Sequence, residues 1–228
     1  MVTQRATVEQ LIQKGEEAYL RRDYDIAIEL LNKSLEEDPE NLETHYILGI
    51  SYSKKEKYTA ALKHFSTIVN SNFLFVNTNH VRVMMGYIYV IMSKYQQAIE
   101  HLEKAISFDE TNTTALSLIA NCFYKLSEYR KAIEHYKKVL KYDSKNVNAL
   151  NSLGYILIEQ DIDIRQGLDI CLEAIQLKPE SAAILDSIGW AYYKLGDEEQ
   201  AGEYLKKAFE YAPDNQEIKE HVKFVFGL

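Results

Sequence analysis

Apolar and polar positions alternate with a helical period along nearly the whole chain. Residues 181–215 show it clearly, with apolar residues three or four positions apart on both sides of a polar break at Gly196 and Asp197. Asp197 is placed to accept backbone N–H bonds as the N-cap of a second helix. Pro213 ends the unit because proline cannot continue a helix. The stretch therefore predicts two amphipathic helices, neither of which can bury its apolar face alone.

The same helix pair recurs along the chain, marked by small residues. In the first helix of each pair the small residue is Gly15, Gly49, Gly86, Ala120, Gly154 and Gly189. In the second helix it is Ala27, Ala61, Ala98, Ala132, Gly167 and Ala201. Both series advance by 34 to 37 residues, and a period near 34 with helix–turn–helix content predicts a stacked α-solenoid. Glycine in a helix costs up to about 1 kcal/mol relative to alanine, so its recurrence predicts close helix approach.

The recurring positions of each pair also match a known repeat pattern: a large residue, two spacers, Leu-Gly, two spacers, Tyr, then Ala, three spacers, an aromatic residue and Pro. The second pair has Leu48-Gly49, Tyr52, Ala61 and Phe65, and the sixth has Ile188-Gly189, Tyr192, Ala201 and Pro213. In these residues the chain resembles the tetratricopeptide repeat (TPR) family. Its richness in Asn, Lys, Ile and Tyr is similar to that of bacterial multi-repeat members.

The resemblance implies an all-α fold, a right-handed α-solenoid superhelix of helix–turn–helix units with a C-terminal capping helix. We expect a mobile N-terminus at 1–7, a capping helix at 216–228, and six repeats at 8–41, 42–78, 79–112, 113–146, 147–181 and 182–215. The extra residues of the second repeat fall in 70–78, and the extra residue of the fifth falls in its internal turn at 160–163. In the capping helix we expect Ile218 to face the core and Glu217 to point away.

In the TPR family the first helices line the concave side of the superhelix, where partners bind. The resemblance therefore implies a partner-binding groove lined by Tyr46, Val83, Tyr87, Asn121, Tyr124, Asn151, Tyr155, Trp190 and Tyr193. Tyr and Trp supply large, rigid contact areas, and Asn side chains can bond a peptide backbone. The alternative is that some of these rings only pack between repeats. We expect a non-catalytic scaffold that binds another protein or peptide segment and needs no cofactor.

A second hypothesis is self-association. Residues 81–92 are apolar almost all round, a pattern typical of a helix that is fully buried or that exposes a sticky surface. Phe73-Leu74-Phe75 just before them either plugs this surface or extends it into a docking site. A homodimer would use this third repeat together with Phe224 and Phe226.

Composition and charge argue against several other classes of function. The net charge of −8 and pI of about 5.3 argue against nucleic-acid binding, which requires a basic face. The longest apolar run is too short to span a bilayer. There is no phosphate-binding glycine loop and no zinc or redox motif.

The histidines and cysteines add no chemistry. His64, His101 and His135 occupy one slot in three successive second helices, but such slots lie about 8–10 Å apart, so we expect no shared metal ion. Cys122 and Cys171 belong to different repeats and are expected to be buried free thiols. With no signal-like N-terminus, this favours the cytoplasm, although an envelope or periplasmic protein trimmed of its signal would read the same.

Overall fold

Helices account for nearly all of this computed structural model, which describes residues 2–71 and 77–227, with side chains from residue 7 onward. They fall into an N-terminal unit, Met1–Glu110, and a C-terminal unit, Thr111–Leu228. The N-terminal unit contains α1 (Val2–Leu20), α2 (Tyr24–Glu37), α3 (Leu42–Lys54), α4 (Tyr58–Asn70), α5 (Thr78–Ile91) and α6 (Tyr95–Ile106). The C-terminal unit contains α7 (Thr113–Lys125), α8 (Tyr129–Tyr142), α9 (Val147–Glu159), α10 (Ile164–Leu177), α11 (Ala182–Lys194), α12 (Glu198–Tyr211) and α13 (Gln216–Phe226). The described residues include no strand.

Consecutive helices pack in pairs, and each pair packs on the next pair within its unit. In the N-terminal unit the pairs are α1/α2, α3/α4 and α5/α6; in the C-terminal unit they are α7/α8, α9/α10 and α11/α12. The second helix of one pair contacts the first helix of the following pair, as α8 contacts α9. Each unit is therefore an all-α solenoid stack, as the period predicted. Helix α13 packs on α12 and α11, the position of a further first helix.

The small residue of each first helix lies directly against a larger side chain of the second helix. A Cβ added at Gly49 would lie 2.3 Å from the Phe65 ring, and one added at Gly86 would lie 2.4 Å from Leu102. In both repeats the partner follows 16 residues later. In the fifth repeat a Cβ at Gly154 would lie 2.4 Å from Cys171 Sγ. The predicted close approach of the paired helices is thus present, since no larger residue fits at these positions without a shift.

Short turns join the two helices of each repeat. Five of these turns contain three residues, and the α9–α10 turn contains four, residues 160–163, where the sequence placed the extra residue. The second residue of every one of these turns has a positive φ, from 50° at Asp161 to 84° at Gly196. The glycine adopts this left-handed conformation without the steric cost that the other five residues incur. Asp197 then caps α12 by accepting the N–H of Gln200 at 3.1 Å, as expected.

The first helix begins before the expected boundary of the first repeat. Helix α1 begins at Val2, so the backbone of residues 2–7 is helical, and the mobility expected of residues 1–7 stays a prediction. Residues 3–12 contain no Gly or Pro that would start the helix later. Most of the insertion of the second repeat, including Phe73-Leu74-Phe75, lies outside the described residues, so the choice between plug and docking site stays a prediction.

The three histidines that share a slot each pack on an aromatic ring of their own repeat. His64 stacks on Tyr52 and His101 on Tyr89, with ring centroids 5.5 and 5.4 Å apart. Burial, followed by the charges of His45 and Lys63, lowers the pKa of His64 to about 4. Within the described part of the chain no three His, Cys, Asp or Glu side chains converge on a possible metal position. The histidine series therefore contributes to packing.

Substituting alanine for Gly154 tests the close approach of α9 and α10. The added Cβ would also lie 2.8 Å from the backbone oxygen of Gly167, and overpacking of this kind costs about 1–3 kcal/mol. We expect Gly154→Ala to lower the urea midpoint, followed by circular dichroism at 222 nm. Gly202→Ala is the control, because its Cβ would meet Phe226 at an ordinary 3.4 Å. Alanine at this position should increase the free energy of unfolding by as much as about 1 kcal/mol. Equal effects of the two substitutions would contradict the packing described.

Candidate functional site

The first helices of the C-terminal unit present one side to a cavity of about 330 Å³. On α7 the lining residues are Asn121 and Tyr124, and on α9 they are Asn151 and Tyr155. Residues three and four apart lie on the same face of a helix, so each pair forms a continuous strip. The opposite side of each helix packs on the second helix of its repeat, so this side is left to form the cavity wall. Its chemistry is a mixture of amides and phenol rings.

Tyr155 lies at the centre of this wall. Its ring meets that of Tyr124 edge-on, at 6.4 Å between centroids and 70° between planes. Its hydroxyl donates a hydrogen bond of 2.5 Å to Glu217 Oε1 of α13. Burial, followed by the hydrogen bond to Glu217, raises the pKa of Tyr155 far above its usual value. The hydroxyl is therefore a fixed neutral donor that ties α13 to α9.

Helix α13 is also held by an ion pair with α11. His221 Nδ1 lies 2.9 Å from both carboxylate oxygens of Asp186. Only 4% of the surface of Asp186 is exposed. Burial alone would lower the pKa of His221, but its hydrogen bond to Asp186 and the negative charge there outweigh burial and raise it. Burial raises the pKa of the Asp186 carboxyl, an effect that His221 opposes. The ion pair thus stabilises the docked helix while His221 carries its proton.

The ring of Trp190 packs against α13. It stacks on His221 with centroids 4.3 Å apart and on Tyr193 at 5.3 Å. Phe224 packs edge-on against both Trp190 and Tyr193, although 64% of its surface remains exposed. The indole N–H of Trp190 donates to Glu159 Oε2 at 2.7 Å. This aromatic cluster fixes the position of α13 relative to α11.

A second cavity, of about 430 Å³, lies in the N-terminal unit. Its walls include Tyr46 of α3 together with Met84 and Tyr87 of α5. Tyr87 is 54% exposed, and Tyr46 approaches His80 with ring centroids 6.4 Å apart. This wall is richer in apolar and aromatic side chains than that of the C-terminal unit and has no carboxylate pair comparable with Asp186 and Glu217 among its lining residues.

The nine residues expected to form the groove divide into three groups and one separate residue, Val83. Asn121, Tyr124, Asn151 and Tyr155 line the C-terminal cavity, and Tyr46 and Tyr87 line the N-terminal one. Trp190 and Tyr193 contact α13, and Val83 is half-buried on α5 without lining either cavity. The role of these nine residues in binding stays a prediction. The contacts of Trp190 and Tyr193 with α13 agree with the alternative that these two rings pack internally.

Helix α13 contributes two residues that the sequence reasoning did not assign to the site. Glu217 lies off the buried face and is exposed, as expected, but its carboxylate also accepts the Tyr155 hydroxyl bond, which was not expected. His221 follows Asp186 by 35 residues, one repeat period. That spacing was the available signal, since it places His221 in the slot that Asn151 and Asp186 occupy in the two preceding first helices.

The apolar stretch of the third repeat has two distinct sides. Val81, Met85 and Ile88 are buried, whereas Tyr87 and Ile91 are 54% and 41% exposed. Helix α5 therefore has one buried side and one exposed side, although most of its residues are apolar. None of the described helices combines the length and the apolar character that crossing a membrane requires.

Comparison with known proteins identifies the repeats. Models described as TPR repeat match residues 86–127 and 120–161, and models described as tetratricopeptide repeat match residues 12–72 and 182–215. Together these matches span most of the chain. Among characterised sequences, the TPR repeat-containing protein PA4667 of Pseudomonas aeruginosa is 36% identical over 66 residues, which are 29% of this chain and 11% of that protein. The match thus covers about a tenth of the length of that relative.

Solved structures share the fold over a longer range. The pilF protein of Pseudomonas aeruginosa aligns with a TM-score of 0.74 at 16% identity, covering 96% of this chain and 97% of that chain. YrrB, described as a TPR protein with an unusual peptide-binding site, aligns with a TM-score of 0.67 at 19% identity, covering 85% of this chain and 97% of that chain. At these identities the likeness concerns the fold.

The fluorescence of Trp190, the single tryptophan of the chain, should report the ion pair that holds α13. A protonated imidazole stacked on an indole quenches its emission, so emission should rise as pH increases through the raised pKa of His221. We expect a midpoint above the ordinary histidine value of about 6.5. Asp186→Asn should lower this midpoint, and His221→Gln should remove the step. A step that persists in His221→Gln would show that the emission reports another group.

Proposed function

We propose that this chain, which belongs to the tetratricopeptide repeat family, is a protein-interaction scaffold that holds a segment of another protein against the first helices of its C-terminal unit. The cavity of about 330 Å³ between α7, α9 and α11 is the observation that carries this proposal. Its wall offers side-chain amides and aromatic rings, the two kinds of group that bind a peptide backbone and its side chains.

The two amides lie on different helices of the same wall. Asn121 belongs to α7 and Asn151 to α9, and both line the cavity. A segment that crosses the cavity from one helix to the other would therefore meet both amides. Each amide can both donate and accept, which matches the N–H and C=O groups of a peptide.

The aromatic side chains would supply most of the binding energy. Tyr124 and Tyr155 are half-buried and held in place by their mutual contact and by Glu217. Rings that are ordered before binding lose little conformational entropy on binding. A few such anchors dominate the affinity of most interfaces. YrrB, which shares the fold, is described as having a peptide-binding site, and this supports a similar use of the fold here.

The chemistry of the cysteines supports a non-catalytic role. Cys122 and Cys171 are both fully buried. Burial raises the pKa of Cys122 to about 11 and that of Cys171 to about 12. Both therefore remain protonated at neutral pH, and a thiol reacts as a nucleophile only after it loses its proton.

The double substitution Asn121→Ala/Asn151→Ala tests this function. Each lost hydrogen bond costs about 0.5–1.5 kcal/mol, so a partner should be bound about tenfold less tightly or worse. The measurement is quantitative mass spectrometry of proteins retained from a lysate of the source organism. The matched control is Glu134→Ala/Lys138→Ala, two exposed residues of the second helix α8. Equal retention of every partner by both variants would contradict binding at this wall.

A further inference from the structure

We propose that the segment held by the C-terminal cavity is cationic and directs a lysine or arginine side chain towards the carboxylate of Glu217. This inference rests on the function proposed above and names the chemistry of the partner. It follows from the charges of the cavity wall, the hydrogen-bonding capacity of its carboxylates and the presence of aromatic faces beside them.

The charged groups of the cavity are predominantly acidic. Asp186 and Glu217 line it, and Lys125 is the cationic residue among its lining side chains. Lys125 Nζ lies over the ring of Tyr124, 5.5 Å from its centroid, at the exposed end of α7. Glu159 adds a third carboxylate that is close enough to raise the pKa of Tyr155. Of the two carboxylates that line the cavity, Asp186 is paired with His221, so an entering cation would be attracted chiefly by Glu217.

The carboxylate of Glu217 retains unused acceptor capacity. Its Oε1 accepts the hydroxyl of Tyr155, whereas a carboxylate can accept about four hydrogen bonds. The residue is exposed, so an incoming ammonium or guanidinium can reach it. Hydrogen bonds between ionised partners are roughly twice as strong as those between neutral ones.

The chain itself already places a cation against this wall. His221 is half-buried, yet Asp186 keeps its pKa above the ordinary value, and Glu217 and Glu159 add to this effect. The imidazole stacks on the Trp190 ring with the ring centroids 4.3 Å apart. Cation–π attraction in this arrangement favours the charged form of the imidazole. The same combination of carboxylate and aromatic face recurs in the cavity, where Tyr155 stands beside Glu217. A lysine or arginine of the partner would contact a carboxylate and an aromatic ring at this place, as His221 contacts Asp186 and Trp190.

A phage-displayed library of random dodecapeptides, selected on the immobilised full-length chain, tests the inference without knowledge of the partner. Selected peptides are first sorted by whether they bind the Asn121→Ala/Asn151→Ala variant. Among those lost in that variant, we expect enrichment of Lys and Arg and depletion of Asp and Glu. We also expect the affinity of a fluorescein-labelled selected peptide to fall as NaCl rises from about 50 to 500 mM, because salt screens the attraction.

Two single substitutions then assign the charge effect. Glu217→Gln keeps an acceptor for Tyr155 but removes the charge, and it should weaken binding of the labelled peptide about fivefold to tenfold. Lys125→Gln removes the opposing cation and should strengthen binding. Far-UV circular dichroism confirms that both variants are folded.

The outcomes separate this inference from the proposed function. Cavity-dependent peptides that lack Lys and Arg, or binding that Glu217→Gln leaves unchanged, would overturn the cationic partner while leaving the peptide-binding role intact. If no selected peptide is lost in the Asn121→Ala/Asn151→Ala variant, both the inference and the proposed function fail.

Discussion

The close contact between the two helices of each repeat is the constraint on which the rest of the structure depends. Gly15, Gly49, Gly86 and Gly189 each accept a Leu or Phe side chain at a point where a Cβ would lie within 2.7 Å of it. This contact fixes which face of the first helix is buried. Since the helix has a 3.6-residue period, it also fixes which residues remain on the opposite face. The inner strips of Asn121–Tyr124 and Asn151–Tyr155 are thus a consequence of packing on the other side.

That contact explains why the fold could be predicted from the sequence. The small residue and its large partner lie 16 residues apart within one repeat, so the information is local and recurs with the period. The extra residue of the fifth repeat lengthens this separation to 17, between Gly154 and Cys171, and the four-residue turn absorbs it. Helix α1 begins at Val2, six residues before the expected start of the first repeat, because no such partner marks the beginning of a helix.

The candidate site was harder to predict because its geometry depends on long-range contacts. Glu217 meets Tyr155 across 62 residues of sequence, and His221 meets Asp186 across 35. The helical period of α13 gives its apolar face, which Ile218 occupies, but it does not say that an exposed carboxylate will turn towards a tyrosine of α9. Trp190 and Tyr193 were expected to line the groove, whereas their contacts with Phe224 depend on the docked position of α13.

Chemical-shift mapping by ¹H–¹⁵N NMR tests the central claim most directly, namely that packing leaves the first-helix wall free to hold a partner. The ¹⁵N-labelled chain is titrated with a peptide selected from the random library. The largest shift changes are expected in α7, α9, α11 and the start of α13, around Asn121, Asn151 and Glu217. Changes concentrated instead on the exposed faces of α8, α10 and α12 would contradict it.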